Sequence, residues 1–340
     1  MERGMTFYRK KAIIDFDSAK FAISSAGEKR TVHIVHNKTG QEWTTKTRTE
    51  WYGEWRKKSG GLLAEINSKR KEDDQWSWDD FTYTDIQTPE PLRNVLHTAK
   101  LYTTKLIEDI GADSYDAYIG RGESWRVEAS TLLKYKGTRQ DVLRPVLMED
   151  VVDYLIKKFG AVEVFGIEND DKIVMESYRK PHHFGVGVEK DMYSSQFHFL
   201  DMSKPELGIQ NGQQFGDLWL DSKKNVKGIG RKHLMLQVCS QDATDNYAAN
   251  CMSDKKFGTM GAYKALKDAK DDRELFQAAV NVYKDLYPEP KTVVGWRGDE
   301  IEIDWLYVMQ ENLTLAHMLR FEGDKINLKQ VLDNLGVDYE

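Results

Sequence analysis

The sequence predicts an α/β protein with a mainly parallel sheet flanked by helices, followed by a mostly helical C-terminal region. Three observations predict it. Short apolar runs alternate with helical patterns as far as Phe184–Val188. Glycines such as Gly111 and Gly160 close the helical stretches. Beyond about residue 230 strands become sparse and helical spacing dominates. Alternation of this kind is the mark of βαβ units, which bury a parallel sheet between helical layers.

Taken in order, Lys11–Ile14 is an apolar run ending in Asp15, a buried-strand signal. Thr31–Val35 and Glu42–Thr49 flank Asn37-Lys38-Thr39-Gly40, which predicts a protruding hairpin. Residues 51–86 are rich in Trp, Gly and charge and read as an irregular excursion. Trp43, Trp51, Trp55, Trp76 and Trp78 are expected to anchor it on the core, with stacking on unpaired bases as the alternative. Pro91 opens a helix carrying Leu92, Val95, Leu96, Ala99, Ile107 and Ile110. Tyr115–Ile119 is a strand, Met148–Phe159 a helix, Val162–Ile167 a strand and Asp170–Tyr178 a helix. His182 and His183 follow Pro181 and are placed in a surface turn before the strand Phe184–Val188. The later helices are expected at Leu234–Val238, Ala262–Lys267, Glu274–Lys284, Ile303–Leu319 and Leu328–Leu335. The expected organisation is an α/β core over 1–230, with a hairpin insertion at about 30–86, and a helical region over 231–340.

Composition narrows the class. With 340 residues, 40% of them hydrophobic, the chain can bury a sizeable core. No run of 18 apolar residues is present, so no membrane span is expected, and the polar, basic stretch Met1–Lys11 does not read as a secretory signal. Two cysteines, Cys239 and Cys251, point to a reducing compartment, hence the cytoplasm, without a disulfide framework. The net charge of −6 argues against nucleic acid as a partner. That argument weakens once eight acids are assigned to one cluster, because the remainder then carries about +2.

The acids fall where ligands bind in open α/β sheets, beyond the carboxyl ends of the strands. Asp15 ends the first strand; Glu168, Asp170 and Asp171 follow Val162–Ile167; Glu189 and Asp191 follow Phe184–Val188. Asp242 and Asp245 form a further pair. A single acid at a strand end is ordinarily a cap or a loop residue, and Asp17 before Ser18 reads as such a cap. Three strand-end groups together would repel one another and require cations. Oxygen ligands without His or Cys favour Mg²⁺ or Mn²⁺ over zinc, and two such ions would suit phosphodiester displacement.

Between Tyr115–Ile119 and Met148–Phe159 lie Ser124-Trp125-Arg126 and Leu133-Lys134-Tyr135-Lys136-Gly137-Thr138-Arg139. Lys136 and Arg139 are spaced to reach one phosphate, and Tyr135 offers a face to a base. Tyr135-Lys136-Gly137-Thr138-Arg139 resembles the Tyr-Lys-x-x-Arg element of bacteriophage-type 5′→3′ exonucleases and flap endonucleases. Glu168-Asn169-Asp170-Asp171 resembles that family's Glu-x-Asp-Asp motif, and Glu189-Lys190-Asp191 its Asp-x-Asp motif. Gln241-Asp242-Ala243-Thr244-Asp245-Asn246 is similar to its Gly-Asp-x-x-Asp-Asn motif, and Asp15 matches its first metal ligand. The five elements occur in the family's order, over about residues 11–270.

The resemblance implies a PIN-like core and two divalent ions, Mg²⁺ or Mn²⁺. It implies action on 5′ ends or flaps of DNA or RNA–DNA hybrid during replication or primer removal, alongside replication proteins. By motif position, Asp15, Glu168, Asp170 and Asp171 would hold the catalytic ion. Glu189, Asp191, Asp242 and Asp245 would complete the site, while Lys136 and Arg139 would contact the scissile phosphate. Tyr135, Lys136, Arg139, Gly258 and Lys264 would contact DNA. Gly258 stands at the turn of a helix-turn-helix sought in Phe257–Lys264, a stretch that also reads as an ordinary helix start. A monomer is expected, in the host cytoplasm if phage-encoded.

The sequence departs from the pattern in three places. Gly120-Arg121-Gly122-Glu123 stands where the family usually carries an Asp, so Arg121 replaces it or Glu123 serves from a shifted position. Glu189 stands where Asp is usual. Residues 205–228 and Ala248–Lys256 read as extra or diverged segments.

Two alternatives remain open. Asp15-Phe16-Asp17 after an apolar strand also resembles the nucleophile element of haloacid-dehalogenase-type phosphatases, which would make Asp17 essential. Arg121 in place of an acid motivates a non-catalytic module that holds branched DNA.

Overall fold

The computed structural model describes residues 10–53, 60–139, 142–180, 182–188, 190–194, 197–212 and 214–340. The chain divides into two compact units. One comprises Met1–Ala19, Lys105–Leu143 and Leu155–Glu340; the other comprises Lys20–Thr104 and Arg144–Tyr154. Position 230 lies inside the first unit.

The first unit holds a five-stranded sheet in which every pairing is parallel. Its order is Val162–Gly166, Ser114–Ser124, Lys11–Asp15, His183–Gly187, Phe199–Asp201. Lys11–Asp15 is central, with Ile14 level with Ala117 on one side and Val186 on the other. Its Ala12, Ile13 and Ile14 are buried, so an unbroken apolar run is needed rather than an alternating one. Val162–Gly166 is an edge strand and leaves Val162 and Phe165 exposed. The helices expected between the strands are present: Leu92–Ile110 stops at Gly111, Met148–Phe159 stops at Gly160, and Asn169–Tyr178 follows Val162–Gly166.

The strand expected at Tyr115–Ile119 runs on to Ser124, with a register shift between Arg121 and Ser124. The glycine-rich, polar end of that strand carries no apolar signal, which is why the sequence hides it. His183 is a correction to the surface-turn expectation. It is the first residue of its strand, is buried, and its Nδ1 lies 2.9 Å from the Glu176 carbonyl oxygen.

The same unit contains the helices Gly230–Val238, Thr259–Leu266, Asp272–Leu286, Trp305–Ala316 and Leu328–Leu335. They bury Leu275, Val280, Tyr283, Met309, Leu313, Leu328 and Leu332 in one core. Their N-termini are fixed by side-chain caps: Asp271 accepts from the Glu274 amide, Asp304 from Tyr307 and Asn327 from Gln330. Each such cap is worth about 1 kcal/mol. An antiparallel pair, Lys291–Val294 with Glu300–Ile303, was not expected, and Ile303 ends that strand rather than starting a helix.

The second unit contains a three-stranded antiparallel sheet, with Glu28–His36 between Glu42–Thr45 and Phe81–Pro89. The turn expected at residues 37–40 joins the first two strands. The strand Phe81–Pro89 begins inside the stretch 51–86 expected to be irregular, and its Thr, Asp and Gln residues leave most of one face polar. Trp51 is wholly buried, 5.2 Å from the Trp43 ring and 5.0 Å from Phe81, while Arg70 lies 3.8 Å over Trp76. Trp43, Trp51 and Trp76 therefore build a core, and Trp78 is exposed. Trp55 lies outside the described residues. Among the described residues no helix is long and apolar enough to cross a membrane. Cys239 and Cys251 are both free thiols.

Candidate phosphate and cation site

The carboxyl edge of the parallel sheet gathers the first acids. Asp15 ends the central strand almost fully buried, and its Oδ1 accepts from the Asp17 amide at 2.8 Å and from Asn169 Nδ2. Asn169 also donates to the Tyr118 carbonyl at 3.0 Å, which ties the start of its helix to the strand Ser114–Ser124. Asp17 lies within the first turn of a helix rather than capping it. Its Oδ1 accepts from the Gly120 amide at 2.8 Å. A Cβ at residue 120 would stand 2.8 Å from the other Asp17 oxygen, so any larger residue there would push this carboxylate aside. Arg121, where the resemblance would place an acid, pairs with Glu163 on the edge strand at 2.7 Å.

A second group forms where residues 134–139 dock on residues 242–246. Asp242 Oδ1 accepts from the Thr244 and Asp245 amides and folds that segment into a tight turn. The Lys136 amide donates to the Asp245 carbonyl at 2.9 Å, Arg139 Nε to the Thr244 carbonyl at 3.1 Å, and Asn246 Nδ2 to the Lys134 carbonyl at 2.9 Å. Lys136 and Asn246 both hold left-handed backbone angles, φ 55° and 60°, a conformation that costs non-glycine residues energy. The turn therefore depends on these cross-loop bonds.

This docking aims two cations at the acids. Lys136 Nζ bonds Glu168 Oε1 and lies 3.8 Å from Asp245 Oδ1, and Arg139 Nη2 lies 3.4 Å from the same oxygen. Tyr135 donates its hydroxyl to Glu168 Oε2 at 3.0 Å. Tyr135 is only 2% exposed and presents no open face to a base, so the stacking role read from sequence is corrected. Burial and the adjacent Glu168 push its phenol well above the usual range.

The electrostatics of the group are unbalanced. The Asp245 carboxyl is pushed up to about 6, by burial above all and then by Asp242, Glu168 and Asp191, against the opposing Lys136. Burial would lower the Lys136 ammonium, but Glu168 and Asp245 outweigh it and raise it. Lys136 thus stays charged, yet it does not neutralise the carboxylates around it.

The other predicted residues are distributed as follows. Asp170 is half-buried in the first turn of Asn169–Tyr178. Asp191 lies in a short turn and accepts from Gln237 Nε2. Glu189 lies outside the described residues. Asp171 is wholly buried, and its two oxygens are taken by Arg126 at 2.5 and 2.8 Å. Gly258 precedes the helix Thr259–Leu266 in extended backbone and does not join two helices, so the ordinary helix start is what forms there. Lys264 is exposed on that helix.

Sequence reasoning missed two participants. Arg126 belonged to the quoted Ser124-Trp125-Arg126 stretch, but only the fold shows it reaching Asp171, 45 residues away. Gln237, on Asp191, gave no signal at all.

The acids supply only carboxylate oxygens, the donor type that a hard divalent cation takes. Among the described residues, no three Asp, Glu, His or Cys side chains converge closely enough to hold a metal ion. The carboxylates stand near enough to repel but not to coordinate in this arrangement.

No family model matches the chain, and no curated protein matches it in sequence. Among solved structures, the crystal structure of the T5 D15 protein co-crystallized with metal ions is similar over 72% of this chain and 90% of that chain. The identity is 14% and the TM-score 0.40, a likeness too distant to assign any residue a role.

Proposed function

We propose that the protein is a divalent-metal-dependent 5′ nuclease, acting as an exonuclease or flap endonuclease on DNA or RNA–DNA ends. The observation that carries this reading is the docking of Lys136 and Arg139 onto the acid pair Asp242 and Asp245 beside Glu168. Cations for a phosphate and crowded carboxylates for a metal ion meet there, which is what phosphodiester hydrolysis needs. Glu168, Asp170, Asp191, Asp242 and Asp245, with Asp15 on the adjacent sheet edge, would hold up to two Mg²⁺ or Mn²⁺ ions. When bound, such an ion supplies Lewis acidity and lowers the pKa of a coordinated water.

The chain's own residues then have distinct tasks. Lys136 and Arg139 take the scissile phosphate and offset its charge as it builds toward the transition state. Tyr135 holds Glu168 from the buried side. Asn169 holds Asp15 by a hydrogen bond. Lys264 would add a contact to the duplex, and a replication setting with replication proteins as neighbours follows from the sequence resemblance.

The test is cleavage of end-labelled duplexes carrying a 5′ flap, a nick or a 5′ RNA segment, in Mg²⁺, Mn²⁺ or EDTA. Metal-dependent release from the 5′ side is expected, and product lengths separate exonuclease from flap cutting. Arg121, which pairs with Glu163 where the resemblance expects an acid, favours a second reading, a module that binds branched DNA without cutting. That reading predicts junction binding with no release in either metal.

A further inference from the structure

We propose that Asp171 is a positioning residue which binds no metal ion, and that Arg126 is the clamp through which it fixes Glu168. The inference rests on the metal-dependent reading above. A carboxylate offers about four acceptor sites. Asp171 Oδ1 accepts from Arg126 Nη2 at 2.8 Å and from the Leu319 amide at 2.9 Å. Asp171 Oδ2 accepts from Arg126 Nη1 at 2.5 Å and from the Glu168 amide at 3.3 Å. All four sites are filled, and the side chain has no exposed surface. A cation brought to Asp171 would also sit against a guanidinium held beside it.

The same contacts make Glu168 dependent on Asp171. Glu168 caps the helix Asn169–Tyr178, and the two residues bond reciprocally, each side chain accepting from the other's amide. Arg126 extends the connection. Its Nε donates to the Leu315 carbonyl at 2.9 Å and its Nη2 to the His317 carbonyl at 2.6 Å. One buried guanidinium thus joins the start of the helix Asn169–Tyr178 to the end of the helix Trp305–Ala316. Glu168 is the acid that Lys136 and Tyr135 grasp, so its place in the site is set from behind by Asp171, Arg126 and residues 315–319.

The experiment is Mn²⁺ titration of the metal-free protein, followed by electron paramagnetic resonance, beside single-turnover cleavage of a 5′-flapped duplex. Asp171→Asn should keep the Mn²⁺ stoichiometry and an affinity within about twofold of wild type. Its cleavage rate at saturating Mn²⁺ should fall by about 10–100-fold, with substrate binding unchanged, as for other residues that orient a ligand from behind. Glu168→Gln should instead weaken Mn²⁺ binding about tenfold or more. If Asp171→Asn does not fold, the double variant Arg126→Met/Asp171→Leu removes both charges together and must retain Mn²⁺ uptake. Loss of an ion from either variant overturns the proposal, as does a cleavage rate for Asp171→Asn equal to wild type. A wild-type protein that takes up no Mn²⁺ overturns the metal-dependent reading and this inference with it, an outcome visible before any variant is made.

Discussion

Asp171 and Asp245 are both buried acids that the sequence presents alike, yet the fold treats them in opposite ways. Asp171 is saturated, with a guanidinium bound through both oxygens and two amides completing its shell. Asp245 faces three other carboxylates with Lys136 and Arg139 as partial compensation, and its carboxyl is pushed up to about 6. A saturated carboxylate is part of the scaffold. An under-compensated one is held in its charged form at a cost, from burial first and from neighbouring carboxylates second, that a bound cation relieves. The difference teaches that an acid's function follows from its partners, which lie far away along the chain.

The largest effect expected from breaking this contrast is on the scaffold side. Arg126→Met leaves Asp171 buried and uncompensated, and should cost about 3–5 kcal/mol of unfolding free energy in a urea melt. Arg126→Met/Asp171→Leu should recover much of that loss, because both charges leave together. A double variant no more stable than the single one would show that the pair is not the source of the stability.

On the site side, Lys136→Ala should lower the cleavage rate about 100–1,000-fold. It should also raise the Asp245 pKa further in the metal-free protein, since Lys136 opposes that rise. Carboxyl-carbon NMR titration reads the shift, and an unmoved or lowered value contradicts the electrostatic account.

A smaller effect follows from linkage at Asp245. Its folded-state pKa is raised, so the ionised group costs stability above about 6, and that cost disappears as pH falls toward the ordinary value near 3.8. Asp245→Asn should therefore stabilise the metal-free protein at pH 8 by on the order of 1 kcal/mol while abolishing cleavage. A thermal melt of the two proteins at pH 8 and pH 5 checks the sign.

Asp324 supplies the contrasting case outside the site. Burial alone would raise it, but hydrogen bonds from the Arg320 side chain and amide and from His317 hold it well below the usual carboxylate range. Its contribution is present above the ordinary carboxyl pKa and is lost as pH falls through the depressed value. Asp324→Asn should lower stability at pH 7 and flatten the acid limb of the stability curve below about pH 4. An unchanged acid limb would show that this group does not govern it.

The sequence made the central part of the fold legible because local pattern and tertiary role agree there. Lys11–Asp15 is apolar because it is buried on both faces, and Gly111 and Gly160 end helices by left-handed backbone. The strand Phe81–Pro89 escaped because its exposed face is polar, and residues 120–124 because glycine and charge mask the strand. For the site, position relative to the strands gathered Asp15, Glu168, Asp170, Asp171, Glu189 and Asp191 as candidates, and Asp242 and Asp245 joined them as a further pair. What it could not supply was charge compensation. Arg126 reaches Asp171 across 45 residues, Leu319 reaches it across 148, and Tyr135 turned out to serve Glu168 from inside the core.

The most direct measurement is single-turnover cleavage of a 5′-flapped duplex in Mg²⁺ by wild type and by Asp242→Asn/Asp245→Asn, with duplex binding measured in EDTA for both. The account predicts metal-dependent 5′ release by wild type. It also predicts at least a thousandfold loss in the double variant, on the order of 4 kcal/mol, with binding retained. Equal cutting by the two proteins, or no cutting by a wild type that binds the flap, would contradict it.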